Sequence, residues 1–255
     1  MLIGPQVKIT TLLTSEQYST PGTAAGFLNA TGITPTSIYL CRDSSGSLID
    51  SVSGNNLAQV GTPKYNVPVV GQFGVSYTSS GSGHGSNVND FAGNSVIFGC
   101  IATHPATPDA GLAGLIGRVS NTSFPCAAMY RTTETLKYPT FLIRDTVSTL
   151  TLSDATINTV EPIRPILYLA QIDRANTTAR MVVADANRIL TNQSGSIAGF
   201  GSFTGGTSPI FYTGGASIVF RAGNALSYGF YATGAQCEGS TKLLSVAKGL
   251  GFGGF

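Results

Sequence analysis

The side chains that could do acid–base chemistry are few and lie far apart in the sequence. Glycoside hydrolysis needs two carboxyl groups about 5–5.5 Å apart for retention, or further apart for inversion. Two pairs of aspartates, Asp43 with Asp50 and Asp145 with Asp154, fall on predicted turns. None of the four glutamates lies within four residues of another, and these are Glu16, Glu134, Glu161 and Glu238. The sequence therefore predicts no catalytic residue and no enzyme.

The two histidines do not form a metal-binding pattern. His84 and His104 are twenty residues apart in Gly- and Pro-rich segments. A hydrolytic zinc site needs several His, Cys or carboxylate ligands at helix or strand spacing, so we expect both histidines to be ordinary surface residues. The chain also lacks the G-x-S-x-G nucleophile motif and the G-x-x-x-x-G-K-[ST] phosphate loop.

Charge is scarce along the whole chain. Asp, Glu, Lys and Arg make up 10% of the residues and leave a net charge of +2, against roughly 25% charged residues in ordinary soluble domains. No Lys/Arg cluster suggests nucleic acid, and no apolar run approaches the roughly 18 residues of a membrane span. A surface of Ser, Thr, Asn and Gly is common on proteins that pack against copies or partners, although a neutral secreted domain would have one too.

The four cysteines, Cys41, Cys100, Cys126 and Cys237, are widely spaced and include no CxxC pair. Two disulfides are possible, in any of three connectivities. No signal-peptide pattern follows Met1, so we favour buried free thiols.

Short β-type runs recur between turn clusters, which is typical of a sandwich or barrel. One helix is predicted at Cys237–Lys248, with Glu238 near its start, Lys248 in its last turn and Gly249 beyond it. We therefore predict one all-β domain over residues 1–255, a two-sheet antiparallel jelly-roll sandwich with a short C-terminal helix. The predicted strands are Val7–Leu13, Ser37–Cys41, Phe73–Tyr77, Ser95–Ala102, Leu112–Arg118, Thr140–Arg144, Val147–Leu152, Ile166–Ile172, Ala179–Ala184, Ser208–Thr213, Ala216–Arg221 and Leu226–Thr233.

The C-terminal residues 249–255 alternate glycine with large apolar side chains and carry no charged side chain. Such a tail should be disordered unless it packs against something. Leu250, Phe252 and Phe255 are therefore predicted to fill a groove, either on this domain or on a neighbouring subunit.

The order of several segments resembles the concanavalin A-like lectin/glucanase superfamily, specifically its laminin-G-like and pentraxin-like domains. The resemblance spans roughly residues 39–250 and implies a jelly-roll sandwich. Asp185-Ala186-Asn187 would form a hairpin tip, and Gly99 or Cys100 lies where the family usually has Trp. The segments that carry the resemblance are Asp43–Leu57, Val69–Tyr77, Ser95–Ile101, Leu167–Asp173, Arg180–Leu190 and Leu226–Thr233 with the helix that follows.

The resemblance also implies a calcium site, because family members often hold Ca²⁺ at the rim of the sandwich. Asp, Asn and backbone oxygens are the ligands that Ca²⁺ prefers. The alternative, which we favour, is that these side chains form Asx turns with their own backbone. The residues concerned are Asp43, Asp50, Asn55, Asn56, Asn89 and Asp90.

Two functions follow from these observations. The first is a non-enzymatic subunit of an assembly, in particular a phage virion protein of the capsid-decoration, tail or fibre kind, located in the virion and bound to its own copies or other virion proteins. The alternative is a carbohydrate-binding lectin module of a cell-surface or secreted protein, and a virion lectin could also bind host glycans. Sugar sites present an aromatic face beside polar groups, and the candidates here are Tyr130, Tyr138, Tyr168 and Tyr212. A glycoside hydrolase is the least favoured function.

Overall fold

Two antiparallel β-sheets pack face to face, and two short helices lie on the outer side of the larger sheet. The computed structural model describes residues 19–41, 46–69, 72–77, 83–85, 93–104, 113–118, 126–131, 138–157, 164–201 and 225–255. The elements in these ranges are α1 (Ala24–Thr31), β1 (Ser37–Tyr39), β2 (Ala58–Val60), β3 (Pro63–Val69), β4 (Gln72–Tyr77), β5 (Gly83–Gly85), β6 (Val96–Thr103), β7 (Ala113–Arg118), β8 (Cys126–Arg131), β9 (Pro139–Arg144), β10 (Thr149–Ser153), β11 (Ile166–Asp173), β12 (Thr178–Ala184), β13 (Ile189–Ser196), β14 (Ala225–Thr233) and α2 (Lys242–Gly249).

The large sheet has eight strands in the order β13-β12-β11-β6-β14-β4-β3, with β1 paired to β14 beside the main path. The small sheet has the order β10-β9-β8-β7, and β2 pairs with β5 separately. All of these pairings are antiparallel. The predicted fold class, an antiparallel two-sheet sandwich, is confirmed.

The central strands of the large sheet are buried along their whole length. Every residue of β6 and of β11 is buried. The side chains on the two faces of the sheet belong to two separate apolar clusters. One cluster lies between the sheets, where Phe98 of β6 meets Phe141 of β9 with ring centroids 5.7 Å apart. The other lies under the helices, where Phe27 of α1 packs on Phe230 of β14 at 4.7 Å.

Helix α1 was not predicted from the sequence. Its start is marked by Thr23, whose side-chain oxygen accepts a hydrogen bond from the Gly26 N–H at 3.1 Å. It ends at Gly32, which has the left-handed φ of 74° typical of helix ends. Both residues are visible in the sequence and are of the types that often begin and end a helix.

Two predicted elements begin at least two residues later in the structure than the sequence predicted. Helix α2 begins at Lys242 rather than Cys237, because residues 235–237 form a separate 3-10 turn. Glu238 is not in the helix and instead accepts a hydrogen bond from the Ser95 hydroxyl at 2.8 Å. The strand predicted at Val147–Leu152 begins at Thr149, since Val147 lies in the turn that precedes it. Three predicted strands, Val7–Leu13, Ser208–Thr213 and Ala216–Arg221, lie outside the described residues.

Three of the four cysteines, Cys41, Cys100 and Cys237, are buried free thiols, as predicted. The side chain of Cys126 lies outside the description. Burial raises the pKa of Cys237 to about 12, and burial with the neighbouring Cys41 thiol raises the pKa of Cys100 well above its usual value. Such thiols are poor nucleophiles.

The C-terminal tail packs on this chain itself. Leu250 and Phe252 are fully buried in the cluster under the helices. The N–H groups of Gly253 and Gly254 then donate to the carbonyls of Asp185 and Ala186, at 2.8 and 3.1 Å, in the hairpin tip between β12 and β13. Of the two alternatives, the intramolecular one applies to Leu250 and Phe252, which have no surface left for a partner. Contact with a partner stays a prediction for Phe255 alone, which is 66% exposed.

The tail gives a matched pair of substitutions for stability. We expect Phe252→Ala to lower the free energy of unfolding by about 3–5 kcal/mol, because it empties a buried site. Phe255→Ala should change it by less than about 0.5 kcal/mol, because that ring is mostly exposed. Urea unfolding followed by circular dichroism measures both, and equal effects of the two substitutions would contradict this packing.

Candidate functional site

The two sheets differ in what covers their outer faces. Helices α1 and α2 and the tail cover the outer face of the large sheet. On the small sheet, Phe141, Ile143 and Leu152 point into the sandwich. Because side chains alternate along a strand, the intervening residues of β9 and β10 point outward. We call these residues the open face: Thr140, Leu142, Arg144, Thr149, Thr151 and Ser153.

The open face is mainly polar, and its residues are buried or half-buried on β9 and exposed on β10. Cross-strand pairing sets Arg144 against Thr149, Leu142 against Thr151 and Thr140 against Ser153. The three β10 residues are exposed, Leu142 and Arg144 are half-buried, and Thr140 is 1% exposed.

Thr140 is unusual because its hydroxyl oxygen is buried without a hydrogen-bond partner. An unpaired buried hydroxyl costs roughly 1–3 kcal/mol, and folded proteins seldom leave one in place without a functional or structural cause. A ligand that supplies the missing hydrogen bond is one such cause, and it can reach this buried hydroxyl only when the side chains that cover it move.

The structure brings two of the four predicted tyrosines to this sheet. Tyr130 of β8 is the register partner of Thr140, although its side chain lies outside the description. Tyr138 is half-buried and immediately precedes β9. Tyr168 is fully buried in the core between the sheets, so its ring offers no face to a sugar. Tyr212 lies outside the described residues.

The acidic residues beside the open face are bound to the backbone. The carboxylate of Asp145 accepts hydrogen bonds from the N–H groups of Ser148 at 2.5 Å, Gly201 at 2.6 Å and Val147 at 2.8 Å. These bonds, led by that from Ser148, and the charge of Arg174 lower the pKa of Asp145. This carboxylate stabilises the β9–β10 turn through hydrogen bonds. Its lowered pKa makes it a poor general acid at neutral pH.

Asp154, at the end of β10, is held in the same manner. It accepts hydrogen bonds from the hydroxyls of Thr156 at 2.6 Å and Thr191 at 2.7 Å, and these bonds lower its pKa. Asp154 thereby ties the small sheet to β13 of the large one.

The predicted metal ligands that are described form a turn. The carboxylate of Asp50 is buried and accepts hydrogen bonds from the N–H groups of Ile38, Val52 and Ser53 and from the Ser53 hydroxyl. The Asn56 side chain accepts a hydrogen bond from the Asp50 N–H at 2.9 Å, and the Asn55 carbonyl accepts one from the Tyr39 hydroxyl at 3.2 Å. This geometry matches the Asx-turn alternative. Asp43, Asn89 and Asp90 lie outside the described residues.

Both histidines are buried, so the expectation of surface residues was wrong. The Nε2 atom of His84 lies 2.9 Å from the Tyr65 hydroxyl and 3.0 Å from the Gly46 carbonyl oxygen. The Nε2 atom of His104 lies 2.5 Å from the Tyr168 hydroxyl. Flanking Gly and Pro residues suggested loops, whereas His84 lies within β5 and His104 directly follows β6, where the strands still face the core.

The described residues contain no group of three or more His, Cys, Asp or Glu side chains placed to hold a metal ion. Within the same ranges, no helix is long and apolar enough to cross a membrane.

No family model and no curated protein sequence matches the chain. Solved structures do match it. The binding domain of botulinum neurotoxin serotype D aligns over 87% of this chain and 52% of that chain, with a TM-score of 0.61 and 10% identity. An arabinofuranosidase complexed with arabinofuranosyl-α-1,2-xylobiose aligns over 82% and 52%, with a TM-score of 0.56 and 13% identity. A GH54 α-L-arabinofuranosidase aligns over 81% and 50%, with a TM-score of 0.52 and 12% identity.

The chain has the concanavalin A-like lectin/glucanase fold. This confirms the resemblance found in the sequence at the level of fold. The chain spans about half the length of each of these three proteins.

The hydrogen bonds to Asp50 allow a prediction about how stability depends on pH and on calcium. Burial alone would raise the pKa of Asp50, but hydrogen bonds from Ser53, Ser37, Val52 and Ile38 outweigh it, so the pKa is lowered. The contribution of this carboxylate to stability is therefore present at neutral pH and is lost as the pH falls below about 4, through the folded-state pKa.

We expect Asp50→Asn to lower the melting temperature at pH 7, with a smaller difference from the unsubstituted protein at pH 2–3. Calcium or EDTA should leave the melting temperature of the unsubstituted protein unchanged. A rise of several degrees with calcium that Asp50→Asn abolishes would identify a metal site instead.

Proposed function

We propose that the chain is a non-catalytic, carbohydrate-binding lectin-like module and that the open face is its sugar site. The observation that carries this proposal is the unpartnered, buried hydroxyl of Thr140, on the sheet face that the helices leave uncovered. Sugars are bound by polar groups beside an aromatic ring, and Tyr138 with the β10 hydroxyls supplies both kinds of group.

The fold supports a sugar-binding module without requiring an enzyme. The structural matches include an enzyme in complex with an oligosaccharide and a toxin binding domain, and the likeness of each to this chain concerns the fold alone. The aspartates beside the open face, Asp145 and Asp154, accept hydrogen bonds that stabilise turns. A carboxyl group with a lowered pKa is a poor general acid at neutral pH, so binding is the function that these residues favour.

The proposal is tested with the full chain on a glycan array, followed by calorimetry with the best glycan. Thr140→Val should weaken binding about tenfold, the equivalent of one hydrogen bond of about 1.4 kcal/mol. The same substitution should leave the melting temperature unchanged or higher, because it removes an unpaired buried hydroxyl. Tyr138→Ala should also weaken binding.

The matched control is Ser194→Ala, which removes an exposed hydroxyl from β13 of the other sheet. It should bind as the unsubstituted protein does. Absence of any glycan binding, or unchanged affinity in both Thr140→Val and Tyr138→Ala, would contradict the proposal.

A subunit of a larger assembly, such as a phage virion, is the second candidate. Its support is the low charge of the chain, with 26 Asp, Glu, Lys and Arg residues in 255, together with the two most exposed of the large apolar side chains in the described residues. Phe255 is 66% exposed at the end of the tail, and Val147 is 91% exposed at the β9–β10 turn.

If Val147 or Phe255 contacts copies of the chain, analytical ultracentrifugation should show an oligomer. Val147→Asp or Phe255→Asp should convert that oligomer to monomer. A concentration-independent monomer would contradict self-assembly and leave the lectin proposal untouched.

A further inference from the structure

We infer that the edge strand β13 pairs with β13 of a second copy of this chain, so that two large sheets join into one continuous antiparallel sheet. The inference concerns a surface that the proposed sugar site does not use. It assigns a defined interface to the self-assembly considered above.

The backbone of β13 has hydrogen-bonding groups that point away from its neighbour. β13 is the last strand of the large sheet and pairs with β12. The N–H of Ile197, the residue after β13, donates to the carbonyl of Thr177 at 2.9 Å. In an antiparallel ladder, residues that bond to the partner strand alternate with residues that do not. The N–H and C=O groups of alternate residues from Asn192 to Ser196 therefore point toward the free edge.

Nothing in the described part of the chain pairs with this free edge. The hydroxyl of Thr191 donates to Asp154 at 2.7 Å, and β10 contacts β13 at Gly195, but both contacts lie on the sandwich side of the strand. On the opposite side Asn192 and Ser196 are exposed. A row of backbone donors and acceptors is thus open to another strand.

The two edges of the large sheet differ in their protection against such pairing. Strand β3 at the opposite edge contains Pro63, Lys64 and Pro68. Proline and lysine are residues that natural proteins place on edge strands to prevent pairing. Strand β13 has neither a proline nor a charged residue among its 8 residues. Pairing of β13 with β3 of another copy is therefore disfavoured, whereas pairing with a second β13 is not.

The composition of β13 suits pairing with its own copy. In a symmetric antiparallel pair, a charged residue would lie close to the same charge in the other copy, which is destabilising. β13 brings no charge to such a pair. Antiparallel pairing is the more stable kind, and it is the kind found throughout the large sheet. A second copy is thus the occupant that this edge fits.

The symmetry of this pair sets where the two small sheets lie. Two identical edges that pair antiparallel in one sheet are related by a twofold axis perpendicular to that sheet. Both copies therefore turn the same face to the same side, and both small sheets lie on that side. If the open face binds sugar, the dimer presents two sites in one direction, which strengthens binding to a surface with repeated glycans. This consequence, unlike the pairing itself, rests on the proposed function.

The inference is tested by sedimentation velocity of the full chain over a series of concentrations. We expect a reversible dimer. Asn192→Lys should weaken dimerisation about tenfold, because it places like charges close together across the interface. An equimolar mixture of Asn192→Lys and Asn192→Asp should recover the dimer, since the charges across the interface are then opposite.

The matched control is Asn29→Lys, which makes the same change at an exposed asparagine of helix α1. It should leave dimerisation unchanged. If Asn192→Lys does not fold, as judged by circular dichroism, Asn192→Asp replaces it, because that substitution keeps the shape of the side chain and also places like charges in both copies.

A monomer at every concentration would overturn the inference, and self-assembly with it. A dimer that survives Asn192→Lys, that Asn29→Lys weakens equally, or that the mixture does not recover would overturn it too. If Val147→Asp or Phe255→Asp dissociates the dimer and Asn192→Lys does not, the inference fails and the copies meet at those side chains instead. The lectin proposal is decided separately, by the glycan array.

Discussion

Complete burial of the central strands is the constraint on which this structure depends. A sheet with apolar side chains on both faces needs a cover on each side. The small sheet covers one face, and α1, α2 and the C-terminal tail cover the other. In the part of the chain that the structure describes, neither cover reaches the outward residues of β9 and β10. The location of the candidate site thus follows from how the core is closed.

The same constraint accounts for Gly99, a position at or next to which the domains that the sequence resembles usually have a tryptophan. Gly99 lies in β6, in the middle of the large sheet. A Cβ atom there would lie 2.5 Å from Leu169 Cδ2, 2.6 Å from the Tyr168 carbonyl oxygen and 3.1 Å from Phe230 Cε1. The volume that a large side chain would fill is already occupied by Leu169 and Phe230. A glycine therefore fits the packing of this sheet at a position where a large side chain would not.

Four of the aspartates in the described residues share a structural role. Asp50, Asp145, Asp173 and Asp185 each accept at least two hydrogen bonds from backbone N–H groups in or near turns. Buried backbone groups need partners, and a carboxylate can satisfy several at once. These four carboxylates stabilise the segments that connect strands, so an aspartate in a loop is a poor guide to catalytic chemistry.

How much could be predicted from the sequence depended on burial. Strands β6, β11 and β14 were predicted nearly to the residue, because short continuous apolar runs between turn residues are typical of strands buried on both faces. Strand β3 was missed because Pro68 interrupts its pattern. Strand β13 was missed because it is mostly Ser, Thr, Asn and Gln.

The candidate site could be predicted only in part from the sequence. Tyr138 was identified by residue type, but the exclusion of Tyr168 and the importance of Thr140 depend on which face of which sheet each occupies. That information comes from the pairing of strands distant in sequence. The sheet that contains β7, β8, β9 and β10 was not visible either, because β8 itself was not recognised.

Gly195 of β13 has a consequence for how the open face can behave. A Cβ atom at this position would lie 3.0 Å from the methyl carbons of both Leu150 and Leu152, so the edges of the two sheets meet here with no room for a side chain. Sliding of one layer over the other would separate these groups. The strand β10 that carries half of the open face is therefore preorganised, and a ligand bound there gives up little free energy to order its binding surface.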